Sequence, residues 1–199
     1  MISGIIASAP SIEDIDATPT GYLTTVLDNQ GNQTATLVAS GSNRKYVTIN
    51  EIPINLQHAF VAIEDERFYD HNGIDLQGIL RAGLKGVASG FHFSEGASTI
   101  TQQLLKNTVF TQWTSEQSMA DKFERKFQEQ YLALQLEKVV DKDWILENYL
   151  NAINLGQNTL GVGVASERYF GKDVSETCVN PAIRRVSRFL NPVIPKGIA

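Results

Sequence analysis

Cysteine is almost missing from this 199-residue chain: Cys178 stands alone, so there is no intrachain disulfide and no cysteine-rich metal site. That leaves the compartment open, because many extracytoplasmic proteins also lack disulfides. A cationic surplus is missing too. With 17 Lys and Arg against 22 Asp and Glu, the formal net charge of -5 argues against a general nucleic-acid binder. No segment approaches the ~18 uninterrupted apolar residues of a membrane-spanning helix. Met1 to Ala7 lacks a basic n-region and is too short to serve as a signal peptide. The three histidines, His58, His71 and His92, show no ligand spacing and indicate no metal site. Hydrophobic residues make up 42% and charged residues 20%, the balance of a globular chain long enough to bury one core.

Residues 1–20 are small, acidic and weakly periodic, and read as a lead-in. Tyr22 to Leu27 and Thr34 to Val38, separated by Asp28-Asn29-Gln30-Gly31-Asn32, read as strand, turn and strand. Pro53 marks a helix start, where its missing N–H costs nothing. From there the periodicity is helical, over about 53–70, 75–88, 99–108, 119–140, 142–152 and 160–170. The reading is a short N-terminal β-hairpin followed by a mainly α domain. Its divisions are 1–45 for lead-in and hairpin, 46–176 for the main domain and 177–199 for a tail.

Three places carry possible chemistry. On a helical wheel Glu64 shares an apolar face with Leu56, Phe60 and Phe68, whereas Asp65 and Glu66 point away. Shielding of this kind is what a general base or acid requires; the plainer alternative is a helix-end carboxylate bonded to backbone or to Arg67. Gly90 to Asn107 is a loop entering a helix, with Thr99 and Gln102 spaced as a capping box. Free N–H groups there, with hydroxyls and Lys106 nearby, suit a phosphate or pyrophosphate; an ordinary capped helix explains the spacing equally. The segment is not a Walker loop, since Ala97 stands where the lysine belongs. On the third segment, Asp121 to Val140, Lys122, Arg125, Lys126 and Glu129 share one face, opposite Phe123, Phe127, Tyr131 and Leu134. Leu132, Leu136 and Val139 form a second apolar set that makes the C-terminal half of this helix largely buried. Three cations around a carboxylate suit an anionic leaving group, and i,i+4 surface pairing of Arg125 with Glu129 is the bland alternative. Gly161-Val162-Gly163 lacks the third glycine and preceding strand of a dinucleotide loop.

The order and wording of these segments say more than any one of them. Glu64-Asp65-Glu66-Arg67-Phe68-Tyr69-Asp70-His71-Asn72-Gly73 resembles the E-D-x-x-F-x-x-H-x-G motif of family 51 glycosyltransferases. These are the polymerase domains of class A penicillin-binding proteins and the monofunctional peptidoglycan transglycosylases. Gly96 to Asn107 is similar to the second motif, G-x-S-T-I-T-Q-Q-L-x-K-N, and Arg125-Lys126-Phe127-Gln128-Glu129 to the third. Lys142 to Asn151 resembles the fourth, and Gly161 to Lys172 the fifth.

The resemblance implies a lysozyme-like, mainly α fold with a smaller, membrane-facing lobe. It implies polymerisation of lipid II, with the growing glycan as donor, by inverting transfer that releases polyprenyl pyrophosphate at the extracytoplasmic face of the bacterial plasma membrane. Glu64 is then the general base and Glu129 the second catalytic carboxylate. Asp65, His71, Ser98, Thr99, Gln102, Gln103, Lys106, Asn107, Arg125 and Lys126 are the expected substrate-binding set, and Glu147 a structural residue. Membrane contact is expected at Phe91, Phe93, Val109, Phe110 and Trp113. No cofactor is required by the sequence; the resemblance allows a divalent ion, Mg or Mn, between Glu129 and pyrophosphate. It also implies a transmembrane anchor and, in bifunctional relatives, a transpeptidase domain, neither present here, and the tail after Lys172 departs from the family pattern. A lytic muramidase on a similar scaffold and a non-enzymatic glycan- or lipid-binding module are the competing readings. A muramidase would need one acid and no pyrophosphate site.

Overall fold

The computed structural model describes residues 2–39, 41–88, 97–111 and 118–177. In chain order the elements are α1 (Ile2–Ala7), β1 (Thr24–Leu27), β2 (Gln33–Leu37), α2 (Ile54–Glu64), α3 (Leu76–Ala88), α4 (Ile100–Thr108), α5 (Met119–Leu136), α6 (Lys142–Ala152) and α7 (Gly161–Phe170). Short 3-10 turns lie at Ile12–Asp14 and Val174–Glu176. The chain is mainly helical with one antiparallel hairpin, as the periodicity predicts. Among the described residues no helix is long and apolar enough to cross a membrane. Two compact units divide the chain, Met1–Ala17 with Glu64–Leu146, and Thr18–Ile63 with Glu147–Ala199.

The unit containing Glu64–Leu146 is built on α4 and α5, which pack together, with α1 laid against α5. Phe68, Ile100, Leu104, Leu105 and Leu132 are fully buried in it. α4 begins where Thr99 accepts the Gln102 amide on its hydroxyl (3.2 Å), and α5 begins on Ser118, which accepts from Asp121 N (3.0 Å). Only half of the expected capping box forms: the Gln102 side chain donates to Gly73 O (3.1 Å) instead of turning back to Thr99. α1, read from sequence as lead-in, is held from far along the chain. Gln128 donates to Ile5 O (3.4 Å), and the Ser8 hydroxyl reaches Glu124 (3.3 Å).

Two of the expected helices end early. The first, expected over 53–70, stops at Glu64, because the Asp65 side chain leaves the helix for a distant backbone amide, and 66–70 continue as turns. The fourth, expected over 119–140, stops at Leu136, leaving Val139 exposed rather than buried.

In the other unit, β1 and β2 pair with a bulge at Val26/Leu27, and Asp28 closes the turn by accepting from Gln30 N and Asn32 N (both 2.8 Å). Ile52, Leu56, Phe60, Tyr149, Leu150 and Val162 are buried, with Phe60 edge-on to Tyr149. Asn151 clamps Val47, accepting from its N (3.0 Å) and donating to its O (2.8 Å). Glu147 accepts from Ile49 N (2.5 Å) and from the Tyr46 hydroxyl, which matches its reading as a structural residue. Burial, with Glu147 beside it, pushes the Tyr46 hydroxyl pKa well up. α7 ends on Gly171 at φ +66°, the left-handed cap that glycine takes without strain.

Candidate active site

The turn from Asp65 to Gly73 holds the site together. Asp65 is buried and accepts from His71 Nε2 (2.9 and 3.0 Å) and from Ile100 N at the start of α4 (3.0 Å). His71 Nδ1 in turn accepts from Gly73 N (3.2 Å), which fixes the ring as the Nε2–H tautomer. Gly73 O then accepts the Thr99 hydroxyl (2.8 Å) and the Gln102 amide. The result is that the first turn of α4 is bolted to the residues that directly follow Glu64.

Gly73 itself sits at φ +88°, and a Cβ built on it would lie 2.7 Å from Ala133 C and O on α5. Backbone there cannot retreat as a flexible side chain would. Gly73→Ala is expected to cost upwards of the ~1–3 kcal/mol typical of a strained left-handed residue, seen as a lower melting temperature with an equally large loss of activity. Full stability in that variant would show that the close approach is not tight.

Around this turn, charges are paired. Lys142 donates to His71 O (2.7 Å) and to Glu137 (2.6 Å), with its ammonium 4.4 Å from the Phe68 ring centroid. Arg67 binds Asp75 (2.5 Å) and Glu66, and its hydrogen bond holds the Asp75 carboxyl below the ordinary carboxylate range.

Glu64 is half-buried at the C-terminal end of α2. Its Oε2 accepts from Gln103 Nε2 (3.0 Å), which also approaches Ser98 O (3.4 Å). The Ser98 hydroxyl accepts from Lys126 Nζ (3.0 Å), and Lys126 donates to Glu129 Oε2 (2.7 Å). Arg125 Nη1 takes the other Glu129 oxygen. One hydrogen-bonded strip therefore runs from Glu64 through Gln103, Ser98 and Lys126 to Glu129.

The two carboxylates differ sharply in setting. Glu129 is 0% exposed, between Arg125 at 11% and Lys126 at 40% side-chain exposure. The wheel grouped Arg125, Lys126 and Glu129 correctly, but the pairing is interior, not the surface pairing of the bland reading. Phe123 and Phe127, on the opposite side, are exposed at 60% and 38%. Lys122 is exposed. A buried carboxylate is tolerated because two cations satisfy both of its oxygens.

Both Glu129 oxygens are taken by cations, and among the described residues there is no group of three or more His, Cys, Asp or Glu that could hold a metal. The donor set suits an anion. An ammonium has three N–H donors, and Lys126 uses two on Ser98 and Glu129.

Of the expected substrate-binding residues, Ser98, Gln103, Arg125 and Lys126 lie on the strip, and Lys106 and Asn107 are half-buried on α4 beyond Gln103. Asp65, His71, Thr99 and Gln102 have their polar atoms engaged inside the protein. The Gly73 carbonyl, which receives two of those bonds, escaped sequence reading; its only signal is a glycine two residues after His71. Phe91, Phe93 and Trp113 lie outside the described residues, and Val109 and Phe110 are half-buried.

The transglycosylase family model matches residues 30–184. The chain is 45% identical to penicillin-binding protein 1A of Clostridium perfringens (strain 13 / Type A) over 179 residues, covering 88% of this chain and 25% of that protein. It is 43% identical to penicillin-binding protein 1A of Clostridium novyi (strain NT), covering 86% of this chain and 20% of the relative. Against penicillin-binding protein 1A of Escherichia coli (strain K12) it is 46% identical, covering 67% of this chain and 15% of the relative. The chain thus spans a quarter or less of the length of these curated relatives.

Proposed function

The chain belongs to the transglycosylase family, and from that premise we propose that it is a peptidoglycan glycosyltransferase polymerising lipid II into glycan strands. The observation that carries this reading is the strip itself, a half-buried carboxylate at one end and a pair of cations on a buried carboxylate at the other. Glycosyl transfer from a pyrophosphate needs a proton acceptor on the side of the attacking hydroxyl and positive charge where the leaving group departs. Glu64 takes the proton of the acceptor's sugar hydroxyl as its oxygen bonds the donor anomeric carbon. The bond from that carbon to pyrophosphate oxygen breaks, its electron pair leaves with the polyprenyl pyrophosphate, and Lys126 and Arg125 receive the charge. Single displacement inverts the anomeric centre.

A glycan-cutting enzyme has no anion to receive, so the cation pair favours synthesis. The test is a gel-resolved assay of labelled lipid II with the detergent-solubilised protein. A ladder of lengthening glycan is the expected result; consumption of finished glycan without use of lipid II would overturn the reading.

Membrane association of the same unit is supported by α3. Leu76, Leu80, Leu84 and Val87 recur at helical spacing and are 73%, 65%, 65% and 61% exposed, while Arg81 and Lys85 lie away from that stripe. An amphipathic helix with its apolar face outward suits the acyl boundary of a lipid surface, and at the extracytoplasmic face of the plasma membrane it would keep the site beside its lipid-linked substrate. Burying one leucine yields about 1.5–3 kcal/mol. The double change Leu80→Glu, Leu84→Glu should therefore lower co-sedimentation with anionic vesicles at least about tenfold while leaving the melting temperature in place. Undiminished vesicle binding would remove α3 from the membrane contact.

A further inference from the structure

We propose that Gln103 is the positioning residue of the general base: it holds one oxygen of Glu64 so that the other faces the incoming hydroxyl. The inference rests on the base assignment above and assigns Gln103 a different task from the substrate contact expected of it. Gln103 Nε2 donates to Glu64 Oε2 at 3.0 Å, and among the described residues no protein hydrogen bond falls on Oε1. The donor is itself located on two sides. Its second approach is to Ser98 O (3.4 Å), and the helix carrying it is fixed by Ile100 N on Asp65 and by Thr99 and Gln102 on Gly73 O. The same short turn therefore sets the position of both Glu64 and Gln103.

The chemistry of the donor matters as much as its place. A carboxylate left to rotate presents its lone pairs to the substrate only part of the time. A cation in place of the amide would orient it but would weaken it as a base by favouring the charged form. A neutral carboxamide orients the group with the smaller effect. The cations of the site, Arg125 and Lys126, are paired with Glu129 at the far end of the strip. Asp65 and His71 satisfy each other, Arg67 is paired with Asp75 and Glu66, and Lys106 lies one turn beyond Gln103 on α4.

The experiment compares Gln103→Met, which keeps the length and removes the donor, with Gln103→Lys, which replaces a neutral donor by a charged one. Lipid II polymerisation is followed across pH, with Glu64→Gln run beside them. All other titratable groups are shared, so differences report position 103. In Gln103→Met, kcat should fall about 10–100-fold with KM within about twofold, and the acid limb of kcat should move up by about one pH unit. In Gln103→Lys the acid limb should move down. A raised KM with both limbs unmoved would overturn the proposal and return Gln103 to substrate binding. Polymerisation by Glu64→Gln would instead remove the base assignment beneath it, a distinct outcome. If one variant fails to melt cooperatively, the direction of shift in the other still decides.

Discussion

Glu64→Gln should bind lipid II about as well as the parent protein and make almost no glycan. The substitution is nearly isosteric, and its side chain still offers an oxygen to Gln103 Nε2, so that hydrogen bond is kept. Glu64 is half-buried and, among the described residues, has no ion pair, which keeps the stability change small. What is lost, on the proposed assignment, is the capacity to accept a proton from the attacking hydroxyl. Removal of a general base costs about 10²–10⁴ in rate, or roughly 3–6 kcal/mol of transition-state stabilisation at about 1.4 kcal/mol per tenfold. The measurement is the initial rate of polymer formation beside lipid II affinity. A KM effect without a kcat effect would make Glu64 a binding residue, and near-parental polymerisation would exclude it from the chemistry.

Much of this was legible in the sequence because it is local. Helix starts followed from Thr99, and the hairpin turn from Asp28 and Gly31, each within a few residues of the feature it creates. What escaped was set from a distance. The end of α2 depends on Asp65 finding Ile100 N, 35 positions away, and α1 depends on Glu124 and Gln128. No periodicity carries that information.

The wheel of α5 shows the same limit in another form. It sorted the side chains by type, and type alone would turn Phe123 and Phe127 inward and Glu129 outward. Burial follows instead from what each can pair with: Glu129 enters the interior because Arg125 and Lys126 come with it, while the aromatics stay at the surface. The same logic explains why Asp65, Thr99 and Gln102, expected on the substrate, have their polar atoms engaged on His71 and backbone groups.

Loss of Glu129 should act first on stability and then, in its mildest form, on turnover. Glu129→Ala leaves Arg125 and Lys126 without the anion they share, in a site where the arginine is only 11% exposed. Breaking a buried ion pair from one side typically costs about 3–5 kcal/mol, a large part of the ~5–15 kcal/mol that holds a domain folded. At about 2–4 °C per kcal/mol for a domain of this size, the melting temperature should fall by roughly 6–20 °C. Glu129→Gln keeps the shape and should lose less. The informative quantity is the response to inorganic pyrophosphate. In the parent protein Glu129 offsets one of the two positive charges, so an added anion meets a single net charge, whereas in either variant it meets two. Pyrophosphate should therefore raise the melting temperature more in Glu129→Gln than in the parent, through preferential binding to the folded form. The same tighter hold should slow departure of the leaving group, lowering kcat while KM falls or stays level. Equal pyrophosphate responses in parent and variant would mean that Glu129 does not regulate the cation pair, and its role would have to be sought in direct contact with the sugar.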